Sequence, residues 1–492
     1  MAVNSEKDTP LRIIFVSAEV APYAKVGGLA DVAGSLPKAL RALGHDVRVI
    51  MPRYGRVDPA RFELQPAVDA FPVPLPDRQE PASLRQTTLG GSVPVYLVES
   101  ERYFAREAIY GYPDDGERFL FFCRAVLEAP KQLDWRPDIV HCNDWHTAII
   151  PNLLHTTYED DPFYAETASV FTIHNLAYQG VFDQKLLAMT GLGGGFLRPQ
   201  IGERSDQIDL MSQGILYADV VNTVSPTYAQ EILTPEYAEG LESVLRYRKA
   251  RLFGILNGLD TERFDPATDQ HLTARYDVAN LDRKVENKLA LQREGSLAED
   301  PSIPMVGVVS RLADQKGFDL LEPIIEPLLS EAGVQLALLG TGDQHYQDLM
   351  RRVGERYPGQ AAIALTFDVA LAQRIYGGAD IFLMPSRYEP CGLGQMIAMR
   401  YGTVPVVRRT GGLADTITDY QPSTAEGNGF VFENYTSYAC FVALLRAVET
   451  FRRPEEWRML QRRGMEADLS WAASAQRYVE LYRKALEFRA TG

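Results

Sequence analysis

Three short stretches carry residue types that suit an anionic, polyhydroxylated ligand. Lys25 precedes two glycines in KVGGLADV (Lys25–Val32). Arg311 and Lys316 share one loop in SRLADQKGFDLL (Ser310–Leu321), and Glu389 runs into Gly392 and Gly394 in PSRYEPCGLGQMIAMRYG (Pro385–Gly402). A Gly turn opening a helix brings backbone N–H groups and the positive end of a helix dipole close to a phosphate. Two cations suit a diphosphate, and a carboxylate beside such a turn can hold sugar hydroxyls. Each stretch also has a plainer explanation. The glycines would serve a positive φ, the loop cations would be solvated, and Glu389 would be a helix-start acid. Two further stretches, HCNDWHTA (His141–Ala148) and TIHNLAYQG (Thr172–Gly180), put polar groups after apolar runs. His174, at such an end, is the better functional candidate. His141, inside the run, reads as a packing residue.

These stretches need a scaffold that gathers loop ends. LRIIFVSAEV (Leu11–Val20) reads as a buried strand, the segment from Leu29 to Leu43 as a helix stopped by Gly44, and DVRVIMPRY (Asp46–Tyr54) as the next strand. That is one βαβ unit of a parallel sheet. Further strands are expected over Val93–Glu99, Asp138–Asn143, Ser169–Asn175 and Ala218–Ser225. After a turn-rich junction, Gly254–Pro266, the pattern restarts with Pro304–Leu312, Gln335–Asp343, Ala379–Ser386 and Val404–Arg409. Every candidate loop follows such a strand, where α/β sheets bind ligands.

The length of 492 residues suits two domains. A net charge of −15 argues against wrapping nucleic acid, and no apolar run is long enough for a membrane span. The four scattered cysteines form no CxxC pair, which fits a reducing cytoplasm. No HExxH or similar spacing appears, so no metal and no cofactor is expected. GxSxG and GxGxxG are absent, which disfavours a serine hydrolase and a nicotinamide enzyme. The pentapeptide GGLAD occurs twice, at Gly27–Asp31 and Gly411–Asp415, with flanks that do not align.

In order, KVGGLADV, HCNDWHT, TIHNLAYQG, NTVSPTYAQEI, GILNGLD, SRLADQKGFDLL, SRYEPCGLGQ and RTGGLADT resemble the motifs of bacterial glycogen synthases and plant starch synthases. The resemblance runs from about Leu11 to the last helix. It implies the GT-B fold: two Rossmann-like domains with parallel sheets facing a deep cleft. Residues 1–256, completed by a crossing helix over 472–492, would form the acceptor side, and 257–471 the nucleotide-sugar side. It implies transfer of glucose, with retention, from ADP-glucose to the non-reducing 4-hydroxyl of an α-1,4-glucan. Arg311 and Lys316 match the family's leaving-group cations, Glu389 the carboxylate at the glucose, and His174 the residue near its anomeric centre. Lys25, Gly27, Gly28, Asp144, Asn257, Gly340, Phe367, Cys391, Gly392, Leu393 and Gly394 complete the implied donor and substrate contacts. Phe367 would pack on the adenine.

Three departures stand out: Val26 where many bacterial members have Thr, Phe367–Asp368 in place of a Gly-Tyr pair, and Gly394 where some have Thr. The choice between ADP- and UDP-glucose therefore follows from the family, not from a residue, and oligomeric state is left open. Another retaining GT-B transferase, or a non-catalytic glucan-binding protein on the same scaffold, are the rival readings. Hinges are expected at Gly254–Pro266 and near Trp471. The second GGLAD is expected to be chiefly a turn and helix start.

Overall fold

A computed structural model describes residues 9–192 and 207–491. The chain forms two compact units, Met1–Gly258 with Trp471–Gly492, and Leu259–Ser470. The first boundary lies two residues beyond 256, and the second one residue before 471.

The first unit is built on a nine-stranded sheet. Seven strands are parallel, in the order Leu252–Gly254, Val220–Thr223, Ala168–Ile173, Ile139–Asn143, Arg12–Val16, Asp46–Pro52 and Val93–Glu99. All but the half-buried edge strand Leu252–Gly254 are runs read from the sequence, largely buried on both faces as parallel sheets require. Two antiparallel strands, Gln79–Leu89 and Gln65–Pro74, extend the edge. The helix Gly28–Ala42 follows the first strand and Gly44, at φ 93, ends it. The sequence order reverses between Arg12–Val16 and Ile139–Asn143. The loops after these two strands, and after Ala168–Ile173, hold Lys25–Gly28, Asp144 and His174.

The last helix, Trp471–Thr491, belongs to this unit. Trp471, Ala475, Tyr478, Tyr482 and Ala485 recur at helical spacing and are buried in its core. Tyr478 and Tyr482 also carry polar tips inward. The Tyr482 hydroxyl lies 2.8 Å from His141 Nδ1, and His141 Nε2 lies 2.7 Å from Thr172 Oγ1. Asn222 Nδ2 donates to the Tyr478 hydroxyl at 3.2 Å. Burial holds His141 down at about 3, so it is a neutral packing residue.

The second unit has a six-stranded parallel sheet: Ala361–Ala364, Gln335–Leu339, Met305–Val309, Ile381–Met384, Val404–Arg408 and Phe430–Phe432. Counted along the chain this is the doubly wound order 3-2-1-4-5-6, whose ligand crevice lies between strands 1 and 4. The loops leaving those two strands are 310–317 and 385–393. They hold Arg311, Lys316 and Glu389.

Candidate active site

In the first unit, the residues of the Gly loop have no conformational need for glycine. Gly27 sits at φ −131 and ψ −165, ordinary extended backbone. A Cβ placed on Gly27 or Gly28 would meet nothing within 4 Å. The positive-φ explanation therefore fails, and so does internal packing. Open space above a helix start is what an approaching ligand requires.

The loop's amides are less available than the sequence suggests. Glu19, buried at the start of the loop, accepts from Val26 N at 2.5 Å and Gly27 N at 2.9 Å through Oε2. Its Oε1 accepts from the Tyr110 hydroxyl at 2.7 Å. The Gly27 N–H thus already serves an internal carboxylate, which corrects the expectation that it awaits a phosphate. No side chain caps the helix that begins at Gly28. Lys25 Nζ is held at 2.7 Å from both carboxylate oxygens of Asp31, in the helix's first turn. Val26 is 63% exposed.

Asp144 and His174 meet at the neighbouring strand ends. Asp144 adopts φ 55 and ψ 179, a region nearly reserved for glycine, at a cost of about 1–3 kcal/mol. Its N–H donates to Thr172 O at 3.0 Å and its Oδ1 accepts from His174 N at 2.7 Å. Burial pushes the carboxyl up to about 7, against the pull of backbone hydrogen bonds from His174 and Asn175. Asn143 Nδ2 donates to Val16 O at 2.9 Å, so its Oδ1 must accept from His174 Nε2–H at 2.9 Å. Burial lowers His174 to about 3. His174 is therefore neutral, with Nδ1 the unprotonated nitrogen. Asn257 is buried, and its Oδ1 has no hydrogen-bond partner.

In the second unit, Lys316 Nζ lies 2.6 Å from Glu389 Oε2, which also accepts from Ser386 Oγ at 3.0 Å. Glu389 is buried and Lys316 partly so. The topological switch brings these two together. Gly317, at φ 78, allows the approach: a Cβ there would fall 2.1 Å from Pro385 O. Arg311 stays exposed on the same loop, with Nη2 donating to Gln315 Oε1 at 2.9 Å. Arg408 Nε donates to Ser386 O at 2.9 Å and braces the Glu389 loop from below.

Beyond Glu389, Cys391 is buried, Gly392 turns at φ 74, and Leu393 caps the helix Gly394–Arg400. Gln395 Nε2 donates to Cys391 O and Gly392 O, pinning the loop's carbonyls. A Cβ on Gly394 would sit 3.0 Å from the Phe382 ring and 3.2 Å from Met384 Sδ, so this position leaves little space for Thr. Gly340 packs its Cα against Ser310 O, where a Cβ would come to 1.9 Å. That gives Gly340 a packing role. Phe367 is 85% exposed, and Asp368 caps the next helix by accepting from Leu371 N at 2.9 Å.

The second GGLAD lies behind this loop. A Cβ on Gly411 would come 2.0 Å from Glu389 O, and one on Gly412 would come 1.9 Å from Cys391 O. Gly412 N donates to Glu389 O at 3.1 Å. Its glycines let backbone touch backbone beneath the EPCGLG turn.

Sequence reasoning missed Glu19, Tyr110, Asn143 and Arg408. No spacing signals Glu19 or Tyr110. Asn143 stood within the HCND stretch, and only its strand register shows that it fixes His174. Among the described residues, no cluster of His, Cys, Asp and Glu could hold a metal.

Known proteins bear on this arrangement. The family model for the starch synthase catalytic domain matches residues 12–247, and that for group 1 glycosyl transferases matches 303–449. The chain is 52% identical over 483 residues to a glycogen synthase of Moorella thermoacetica, covering 98% of both chains. It is 48% identical to a glycogen synthase of Thermotoga maritima, covering 97% of this chain and 99% of the relative. The catalytic domain of starch synthase IV from Arabidopsis thaliana, solved with ADP and acarbose, superposes with a TM-score of 0.89 at 36% identity. That match covers 97% of this chain and all of the other.

Proposed function

The chain belongs to the glycogen and starch synthase family of glycosyltransferases, and from that premise we propose how its residues transfer glucose from ADP-glucose to the 4-hydroxyl end of an α-1,4-glucan, with retention. The fold is GT-B, with two α/β units on parallel sheets. The second unit serves the nucleotide-sugar donor and the first the glucan acceptor. Cytoplasmic residence fits four buried cysteines that form no disulfide. Among the described residues no helix is long and apolar enough to cross a membrane.

The observation that carries the site assignment is the Lys316–Glu389 pair at the switch point of the donor-side sheet. Breaking the glycosidic bond to ADP leaves a diphosphate whose charge grows and a sugar whose ring becomes cationic. Lys316 has three donors, so it can keep Glu389 and still meet the diphosphate, with Arg311 reaching it from the same loop. Glu389 then holds the glucose hydroxyls and faces the positive sugar. Such contacts are worth about 3–4 kcal/mol each when they strengthen in the transition state. Neutral His174 accepts at Nδ1, and Lys25 can leave Asp31 for the incoming donor. Phe367 offers a bare ring face to the adenine.

The deciding experiment measures glycogen elongation with ADP-glucose and with UDP-glucose. ADP-glucose should be the better donor. Extension with neither would remove the synthase assignment. Glu389→Ala should lower kcat by roughly 100-fold or more, and a variant with unchanged turnover would remove Glu389 from the chemistry.

A further inference from the structure

Arg118 is fully buried within the first unit and has no part in the transfer proposed above. An isolated guanidinium in such a place is costly unless its donors are used. Arg118 Nε donates to Tyr103 O at 3.1 Å, and Nη1 donates to Ile109 O at 3.2 Å and Asp115 Oδ1 at 2.9 Å. Nη2 has no hydrogen-bond partner. The group lies 5.8 Å from the ring centre of Tyr54, 5.5 Å from Phe104 and 5.1 Å from both Tyr112 and Phe119, so aromatic faces take part of its charge.

The contacts converge on one short segment. Ile109 is held through its carbonyl, and Asp115 Oδ2 accepts from Gly111 N at 2.8 Å. Tyr110 is thus fixed on both sides. Its ring stacks on His146 with centroids 4.6 Å apart, and its hydroxyl donates to Glu19. Glu19 in turn holds the amides of Val26 and Gly27.

We propose that Arg118 is a positioning residue for the Lys25–Gly28 loop, acting through Asp115, the backbone on either side of Tyr110, and Glu19. The planar fork matters: three protein acceptors lie around one guanidinium, which Lys cannot reproduce. The inference rests on the synthase reading for what the loop does, but not for how the loop is held.

Two readouts separate these. The first is amide exchange, followed by mass spectrometry on the full chain, with Arg118→Lys and Tyr110→Phe. Both variants should speed exchange in the segment 24–28 by roughly tenfold, the scale of one hydrogen bond to a charged group. Exchange in the second unit should stay as in the parent. This readout needs no activity. The second is kcat/KM with ADP-glucose and glycogen in a double-mutant cycle. Arg118→Lys should lower it at least tenfold in the parent and less than threefold in the Tyr110→Phe background. Equal losses in both backgrounds, or unchanged exchange at 24–28 in both variants, would overturn the proposal. If Arg118→Lys does not fold, Asp115→Asn takes its place in the same cycle, with the same two outcomes. A parent enzyme that elongates nothing, yet shows the exchange effect, would sink the synthase reading and leave the loop assignment standing.

Discussion

The two GGLAD stretches share five letters and use them for opposite ends, and substituting one glycine in each exposes the difference. At Gly28 a new methyl would meet nothing within 4 Å, on backbone already helical. Gly→Ala at a compatible position stabilises a fold by about 0.4–1 kcal/mol, through loss of unfolded-state freedom. At Gly412 the same methyl would stand 1.9 Å from Cys391 O, against backbone that cannot swing aside. Overpacking by one methylene costs about 1–3 kcal/mol, and a backbone collision belongs at or above the top of that range. A kcal/mol moves the melting point of a unit this size by about 2–4 °C. Gly28→Ala should therefore melt no lower than the parent, and up to about 4 °C higher. Gly412→Ala should melt the second unit roughly 6–12 °C lower. Activity should follow the reverse logic. Gly28→Ala should lose at least tenfold in kcat/KM while gaining stability, because only a ligand needs that space. The assays are differential scanning calorimetry and glycogen elongation. A Gly28→Ala enzyme with parental kcat/KM would refute the ligand argument. A Gly412→Ala protein with parental melting would refute the packing argument.

Two other perturbations test the geometry. Asp144 has a folded-state pKa of about 7, above its ordinary 3.8. The folded state then binds the proton more tightly than the unfolded one, so its contribution to stability is present at low pH and is lost as pH rises toward and through 7. Asp144→Asn should accordingly gain stability over the parent at pH 8 relative to pH 5, by on the order of 1–3 kcal/mol; urea midpoints equal in difference at both pH values would remove that account. Tyr482→Phe leaves buried His141 Nδ1 without its partner, and should cost about 1–3 kcal/mol in unfolding of the first unit. A urea midpoint shift below the error of the measurement would mean the hydroxyl does not hold the helix.

What the sequence displays best is the buried parallel core. The run Val93–Glu99 is a strand with the bounds read from it, and Asp46–Tyr54 and Val404–Arg409 are trimmed only at their ends. Burial on both faces imposes a continuous apolar run, and such a run is visible without partners. The antiparallel pair Gln65–Pro74 and Gln79–Leu89 is not visible in this way. Its residues are largely exposed or half-buried, and Pro66, Pro72 and Pro74 break any strand pattern. Prolines are tolerated because Gln65–Pro74 is an edge strand. The short strands Ala361–Ala364 and Phe430–Phe432 are set by pairing with their neighbours rather than by composition.

The candidate site divides in the same way. Lys316 and Glu389 were legible because cations and carboxylates beside Gly turns advertise chemistry. Their 2.6 Å pairing was not, because it depends on which strands become neighbours. Glu19 illustrates the limit more sharply. Its role arises from a loop folding back on its own amides, and from a tyrosine some ninety residues away. Gly28 and Gly412 look alike on paper and differ in what lies opposite their Cα atoms.

The helix Trp471–Thr491 also sets an order on biosynthesis. The sheet of the first unit is encoded before residue 255, yet His141 and Asn222 receive Tyr482 and Tyr478 only after more than two hundred further residues have been made. A ribosome that has finished the second unit, at Ser470, has made all that the second core needs. The older first unit still lacks one face, an apolar groove with buried-type polar groups open to water. The first half of the message is thus the last to become a finished domain. Any chain that stops before Trp471, by premature termination or by proteolysis at the far end, carries its defect at the opposite end of the sequence. To the cell such a product presents itself as an unfinished first unit beside a complete second one.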